Sequence, residues 1–286
     1  MNEQPTSIAE TARLTAVYRA IESERTDALF RDVWARRLAG ERGDEIARVH
    51  AQIPAWPMIV RTKLIDDYVR AAIADGADRV VNLAAGLDMR PHRLDLPKSL
   101  TWVEADFPGL VRDKARLVEG ETPRCNVVRK GLDLSDAARF AAFLDEALAG
   151  SERALVVTEG FLVYLEDEAV RRIAASLAAR PEIRTWVTDI ASPEVLRRLG
   201  RLTRKTMGDD ARFQFAPPNG VAFFEPLGFR AVSHASLFHE AARVRRLPFF
   251  LRLFARSKAP PPDQSGRRQW SGVARLERVS TQPPLG

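Results

Sequence analysis

The chain has 286 residues, 45% of them hydrophobic and 29% charged, with 44 Lys and Arg against 38 Asp and Glu for a formal charge of +6. That balance fits a single globular unit with a sizeable core, and no run approaches the roughly 18 consecutive apolar residues of a membrane-spanning helix. The one cysteine, Cys125, excludes an internal disulfide and a thiolate metal cluster and reads as a buried structural thiol.

In chain order, Ile8, Ala12, Thr15, Tyr18 and Ile21 recur at helical spacing, and Asp27 is placed to cap a second helix carrying Phe30, Val33, Trp34 and Leu38. Pro54 and Pro57 favour an extended connection before a helical run from about Thr62 to Asp75. The expected division is residues 1–60 as an N-terminal helical part and 61–286 as the core, one structural domain overall. After Gly76 short β-rich runs (VVNLA at 80, TWVEA at 101, NVV at 126, ALVVTE at 154, RTWVTDI at 184) alternate with helical ones at Pro108 to Glu119, Ser135 to Ala149 and Glu166 to Ala179. Five βα steps of this kind predict a parallel, doubly wound sheet. Beyond Gly208 the pattern gives a loop through Pro217, Pro218 and Gly220, a short helix to Gly228, and strands at Phe229 to Ser233 and Gly272 to Val279. Between them, LPFFLRLFARSKAPPP reads as a core-packing helix ended by the run Pro260 to Pro262; a membrane-surface helix is the alternative.

Ligands of doubly wound sheets sit beyond the carboxyl ends of the strands, and each strand here ends in polar residues: Asn82 to Gly86, Glu104 and Asp106, Asp133, Glu159 and Asp189. The richest stretch is VVNLAAGLDMR at 80–90, an apolar strand, a small-residue turn and a polar helix start that let ligand atoms approach the backbone. Asp106 lies twenty residues beyond Gly86, the spacing at which an acid accepts from a ribose diol; capping the helix at Pro108 is its other reading. Glu104, two residues earlier, is expected to face away from this site. AAGLDM has one glycine where a dinucleotide turn has three, and Asp88 would repel a pyrophosphate, so NAD is disfavoured. A cofactor bearing an ammonium group would instead suit Asp88 and Glu159.

RTKLIDDY at 61, NLAAGLDMRPHRL at 82, WVEADFPGLVRDK at 102, GLDL at 131 and TEGFLVYL at 158, with VYRAIESERTDALF before them, resemble in order and spacing the leucine carboxyl methyltransferase family, most of all its bacterial S-adenosylmethionine-dependent O-methyltransferases. The resemblance implies a class I, Rossmann-like fold with a mostly parallel seven-stranded sheet, an N-terminal helical lid and S-adenosyl-L-methionine as cofactor. It assigns Arg61 to the methionine carboxylate, Gly86 to close backbone approach, Asp106 to the ribose, Asp133 with Leu134 to the adenine and Glu159 to the methionine amino group. Many relatives have Gly where Ala84 stands and Thr where Met89 stands. Tyr164 is the candidate for orienting the acceptor, and Tyr18, Trp34 and Trp56 are candidates for the acceptor pocket wall. The implied activity is methyl transfer to a carboxylate or hydroxyl of a small, polyketide-like molecule. Protein C-terminal carboxyl methylation and a non-catalytic nucleotide- or RNA-binding role are the other readings.

No metal is expected, because His50, His92, His234 and His239 lack ligand spacing; His92 beside Arg93 reads as a surface residue. The basic balance is attributed to a general Arg and Ala bias, since only six of the basic residues are Lys and the Arg residues do not interleave with aromatics. Neither a nucleic acid nor a membrane partner is therefore expected. Glu3 and Glu10, where a secretory leader would be basic and then apolar, point to a cytoplasmic location.

Overall fold

Alternation of β-branched strands with amphipathic helices folds as such patterns must, because a sheet apolar on both faces needs helices on both. The computed structural model describes residues 6–203, 212–256, 261–266 and 269–279. Helices α1 (Thr6–Ser23), α2 (Ala35–Val49) and α3 (Trp56–Ala74) precede strand β1 (Arg79–Leu83). Then come α4 (Arg90–Arg93), β2 (Thr101–Asp106), α5 (Pro108–Leu117), β3 (Asn126–Gly131), α6 (Ala137–Leu148), β4 (Ala154–Thr158), α7 (Asp167–Ala178) and β5 (Ile183–Ala191). The chain closes with α8 (Pro193–Thr203), β6 (Phe229–Ser236), α9 (Leu237–Arg243) and β7 (Ser271–Arg278).

The seven strands are ordered β3-β2-β1-β4-β5-β7-β6. The first five are parallel, and β7 runs antiparallel between β5 and β6. Successive residues bury opposite faces: Val81, Val103 and Val156 pack under α6 and α7, while Val80, Trp102 and Leu155 pack under α3. Strand order reverses between β1 and β4, where Leu83 is in register with Thr158. The residues that follow each, Ala84 and Glu159, therefore emerge side by side at the switch point.

Four expectations are corrected. Asp27 caps no helix: Arg25 and Arg246 hold its carboxylate, and Leu29 and Asp32 give their N–H groups to Glu22 and Ser23, so residues 24–34 form a loop. With its backbone donors satisfied by side chains, this segment gains little from a helix, and α2 starts at Ala35. The third helix begins at Trp56, with Pro57 in its first turn where a missing N–H costs nothing. The boundary expected after residue 60 thus falls inside α3. His92 is not at the surface: it is 2% exposed, edge-on to Trp34 at 5.8 Å, and its burial pushes its pKa down to about 4.

The core-packing helix expected over 247–262 is also absent from the residues described there. Two short 3-10 turns, Phe249–Leu251 and Phe254–Arg256, take its place, and Phe249, Phe250, Leu253 and Phe254 are 82%, 68%, 62% and 68% exposed. Leu247, Leu251 and Ala255 of this segment do pack on the cluster under α3 and α9, and the large side chains between them are left outward. Residues 257–260 of that stretch lie outside the described residues. Among described helices none is long and apolar enough to cross a membrane.

Candidate active site

The turn after β1 is built on two left-handed residues, Ala84 (φ 54°) and Gly86 (φ 51°). Gly86 adopts this geometry freely; Ala84 does so at a cost of about 1 kcal/mol. The turn is pinned from β2. Asp106 Oδ2 accepts the Gly86 N–H at 2.7 Å and Oδ1 accepts the Phe107 N–H at 2.7 Å. Asp106 caps no helix, since the residue preceding α5 is Phe107 and it makes no side-chain cap. Burial raises the Asp106 carboxyl above its ordinary range, and the two N–H bonds offset only part of that. Glu104 is turned away from the turn, paired with Lys114 at 2.9 Å and Arg129 at 3.0 Å.

Below the turn runs a buried ionic network. Arg61 of α3 donates to Glu159 Oε1 at 3.0 Å and Asp189 Oδ2 at 3.1 Å. Arg90 donates to Glu159 Oε2 and Asp66 Oδ1 at 2.7 Å and to Asp88 Oδ2 at 2.8 Å. Arg93 closes on Asp66, and Asn82 donates to Asp88 at 2.8 Å. Burial alone would raise the carboxyls of Glu159 and Asp88, but the arginines outweigh it and hold both below the usual carboxylate range. Asp189 Oδ1 also accepts the Gly160 N–H at 2.7 Å. At Gly160 (φ 61°) a Cβ would be strained by the left-handed backbone and would stand 3.2 Å from Arg61 Nη1, so the guanidinium would have to give way.

Arg61, Gly86, Asp88, Asp106, Asp133, Leu134, Glu159 and Tyr164 all line one cavity of about 1530 Å³. Asp133 holds the N–H and hydroxyl of Ser135, and Leu134 is buried beside it. Tyr164, in a 3-10 turn at Leu162–Tyr164, stacks on Phe213 with ring centroids 5.5 Å apart; burial raises its hydroxyl, which is hydrogen-bonded to Thr11 of α1. Of the three aromatic wall candidates, Tyr18 and Trp56 line the cavity. Trp34 does not, because it packs with His92 and the α1–α2 cluster. Sequence reasoning gave Arg90 no role, and no local signal marks it, since its partners come from three separate segments. Asp189 was visible as a strand-end acid but not as a partner of Arg61.

Around the turn, the carboxylates of Asp88, Asp106, Asp133, Glu159 and Asp189 outnumber the lining cations Arg61 and Arg19, the second of which is paired with Asp32, even with Arg90 behind them. Such a site suits a ligand carrying positive charge and disfavours a pyrophosphate. The remaining wall is mainly apolar, with Ile53, Trp56, Leu196, Leu199, Phe215 and Phe238 among its residues and Arg198 at its edge on α8.

The model of the leucine carboxyl methyltransferase family matches residues 12–178. A Streptomyces coelicolor protein is 34% identical over 189 residues, covering 61% of this chain and 65% of that one; a Streptomyces avermitilis protein is 30% identical over 248 residues, covering 81% and 86%. Both bear the name "putative S-adenosyl-L-methionine-dependent methyltransferase". The crystal structure of a "putative methyltransferase" from Thermobifida fusca YX superposes with a TM-score of 0.60 at 15% identity, covering 97% of this chain and 96% of that one. That last likeness speaks for the fold alone.

Proposed function

Because the chain belongs to the leucine carboxyl methyltransferase family and is an S-adenosylmethionine-dependent methyltransferase, we propose that it methylates an oxygen, carboxylate or hydroxyl, of a small apolar acceptor. The observation that carries this reading is the size and polarity of the cavity. Its 1530 Å³ exceeds the roughly 300–1000 Å³ of an ordinary ligand pocket, and most of its lining carboxylates cluster at the end at the β1 turn while the rest of the wall is mainly apolar. A second, apolar molecule has room beside the cofactor. The bond from Tyr164 to Thr11 ties α1 over the Glu159 end, which supports an enclosed small-molecule pocket with α1 and α2 as its lid more than a groove for a protein tail.

In this proposal Asp106 holds the ribose hydroxyls, Leu134 packs against the adenine with Asp133 at its edge, and Gly86 lets the backbone approach the methionine part. Arg61 pairs the methionine carboxylate, and Glu159 with Asp88 faces its ammonium group. Bound S-adenosylmethionine supplies an electrophilic methyl on a sulfonium, transferred by in-line displacement. The protein's contribution is alignment and exclusion of water. A carboxylate acceptor arrives deprotonated and needs no base, whereas a hydroxyl must give up its proton; Tyr164 is the side chain proposed to orient either.

The test is transfer from cofactor carrying a tritiated methyl to a panel of apolar acids and phenols, followed by mild base. Methyl esters release labelled methanol and methyl ethers do not. Tight S-adenosylhomocysteine binding with label appearing only on nitrogen, on sulfur or on protein C-termini would overturn the small-molecule oxygen acceptor.

A further inference from the structure

Phe249, Phe250, Leu253 and Phe254 form an exposed apolar tip on two successive 3-10 turns. Soluble proteins rarely leave four adjacent large apolar side chains in water without a use for them. The tip stands at the cavity mouth, since Leu251 and Phe254 also line the cavity. Its charge is one-sided: from Arg243 to Arg256 the sequence contains no acidic residue. Arg243 and Arg246 are neutralised by Glu240 and by Glu22 with Asp27. Arg245 is exposed and makes no ion pair among the described residues. Arg252 donates to the main-chain carbonyls of Leu247 and Arg245 and makes no ion pair among the described residues.

We propose that this tip docks on an anionic lipid surface. The three phenylalanines and Leu253 enter the headgroup boundary, and Arg245 and Arg252 face the lipid phosphates. Exposed aromatics flanked by uncompensated cations are complementary to a surface that is apolar just beneath a layer of negative charge. No membrane partner was expected on the ground of a general Arg and Ala bias, and this segment was expected to pack in the core; its exposure restores the membrane-surface alternative for it. If the methyl-transfer reading also holds, an amphiphilic acceptor reaches the cavity past Phe254 without crossing water.

The test is cosedimentation of the full chain with phosphatidylcholine vesicles containing phosphatidylglycerol, without cofactor or acceptor, so that its outcome is independent of methyl transfer. The expected result is binding at low salt that weakens as salt is raised to about 0.5 M, where the screening length falls to a few ångströms. Binding should fall about tenfold or more in the double variant Phe249→Ser with Phe250→Ser, and should weaken in Arg245→Glu. Phe249 and Phe250 are outside the cavity wall, so the melting temperature and S-adenosylhomocysteine affinity of that variant should match the parent, which separates lost docking from lost folding. Failure of the parent to sediment with anionic vesicles, or equal sedimentation of parent and double variant, would overturn the proposal. So would a parent dimer that the double variant converts to monomer with no vesicle binding in either, because the tip would then be an interface between copies.

Discussion

Replacing Asp106 with Asn tests the ribose assignment at one atom. Each carboxylate oxygen of Asp106 already accepts one backbone N–H at 2.7 Å, from Gly86 and from Phe107, leaving one lone pair on each for ligand hydroxyls. An amide keeps one acceptor oxygen and turns an NH₂ group toward the other N–H, so one of those donors loses its partner. The loss of a buried hydrogen bond costs about 1–3 kcal/mol of stability. Loss of the charge-assisted bond to the ribose costs about 1.5–3 kcal/mol of binding, or roughly 10- to 150-fold in Kd. Calorimetry with two ligands separates this from general damage. S-adenosylhomocysteine and methylthioadenosine share the ribose and differ in the amino-acid tail, so Asp106→Asn should weaken both by the same factor. Glu159→Gln should weaken the first and spare the second. Because burial raises the Asp106 carboxyl, parent affinity for both ligands should also fall at a higher pH than an ordinary carboxylate would give. If Asp106→Asn weakens S-adenosylhomocysteine and leaves methylthioadenosine untouched, the ribose assignment is wrong.

Arg61→Met removes a cation bridging two largely buried carboxylates. Glu159 keeps Arg90 and Asp189 keeps the Gly160 N–H, so the loss should sit at the low end for a broken buried pair, about 3 kcal/mol by urea unfolding at pH 8. The loss should be smaller when Arg61→Met is made in a Glu159→Gln background, where one of the two partners is already gone; an equal loss in both backgrounds would contradict the network. Ala84→Gly relieves a left-handed alanine and should raise stability by up to about 1 kcal/mol, read as a melting temperature higher by about 2–4 °C; a lower one would show that Ala84 is not strained. His92, with a folded pKa of about 4 against about 6.5 in the unfolded chain, stays neutral in the fold. The unfolded chain then binds the proton more tightly, so stability is full above pH 6.5 and lost as pH falls toward 4. Between pH 7 and 5 the parent should lose about 2 kcal/mol that His92→Gln does not. Parallel pH curves for the two proteins would refute the neutral, buried imidazole.

Five strands and the three helices between Pro108 and Ala178 were legible because their periodicity is local: β-branched runs bury on both faces, and stripes such as Val170, Ile173 and Leu177 face one sheet. The loop at 24–34 and the exposed tip at 249–254 were not legible. Each was decided by partners far along the chain, Arg246 holding Asp27 in the first case and the cluster under α3 and α9 taking Leu247, Leu251 and Ala255 in the second.

The same division runs through the site. The sequence by itself determined which residues stand at the strand ends, because a parallel sheet delivers every such residue to one edge: Gly86, Asp106, Asp133, Glu159 and Asp189 needed only the strand pattern to be placed near one another. Their pairing was settled only by tertiary structure. That Arg61 spans Glu159 and Asp189, that Arg90 is buried among Asp66, Asp88 and Glu159, and that Asp106 pins the turn at Gly86 depend on side-chain distances between segments up to 128 residues apart. Charge complementarity at 3 Å has no periodicity, so nothing in the order of residues announces it.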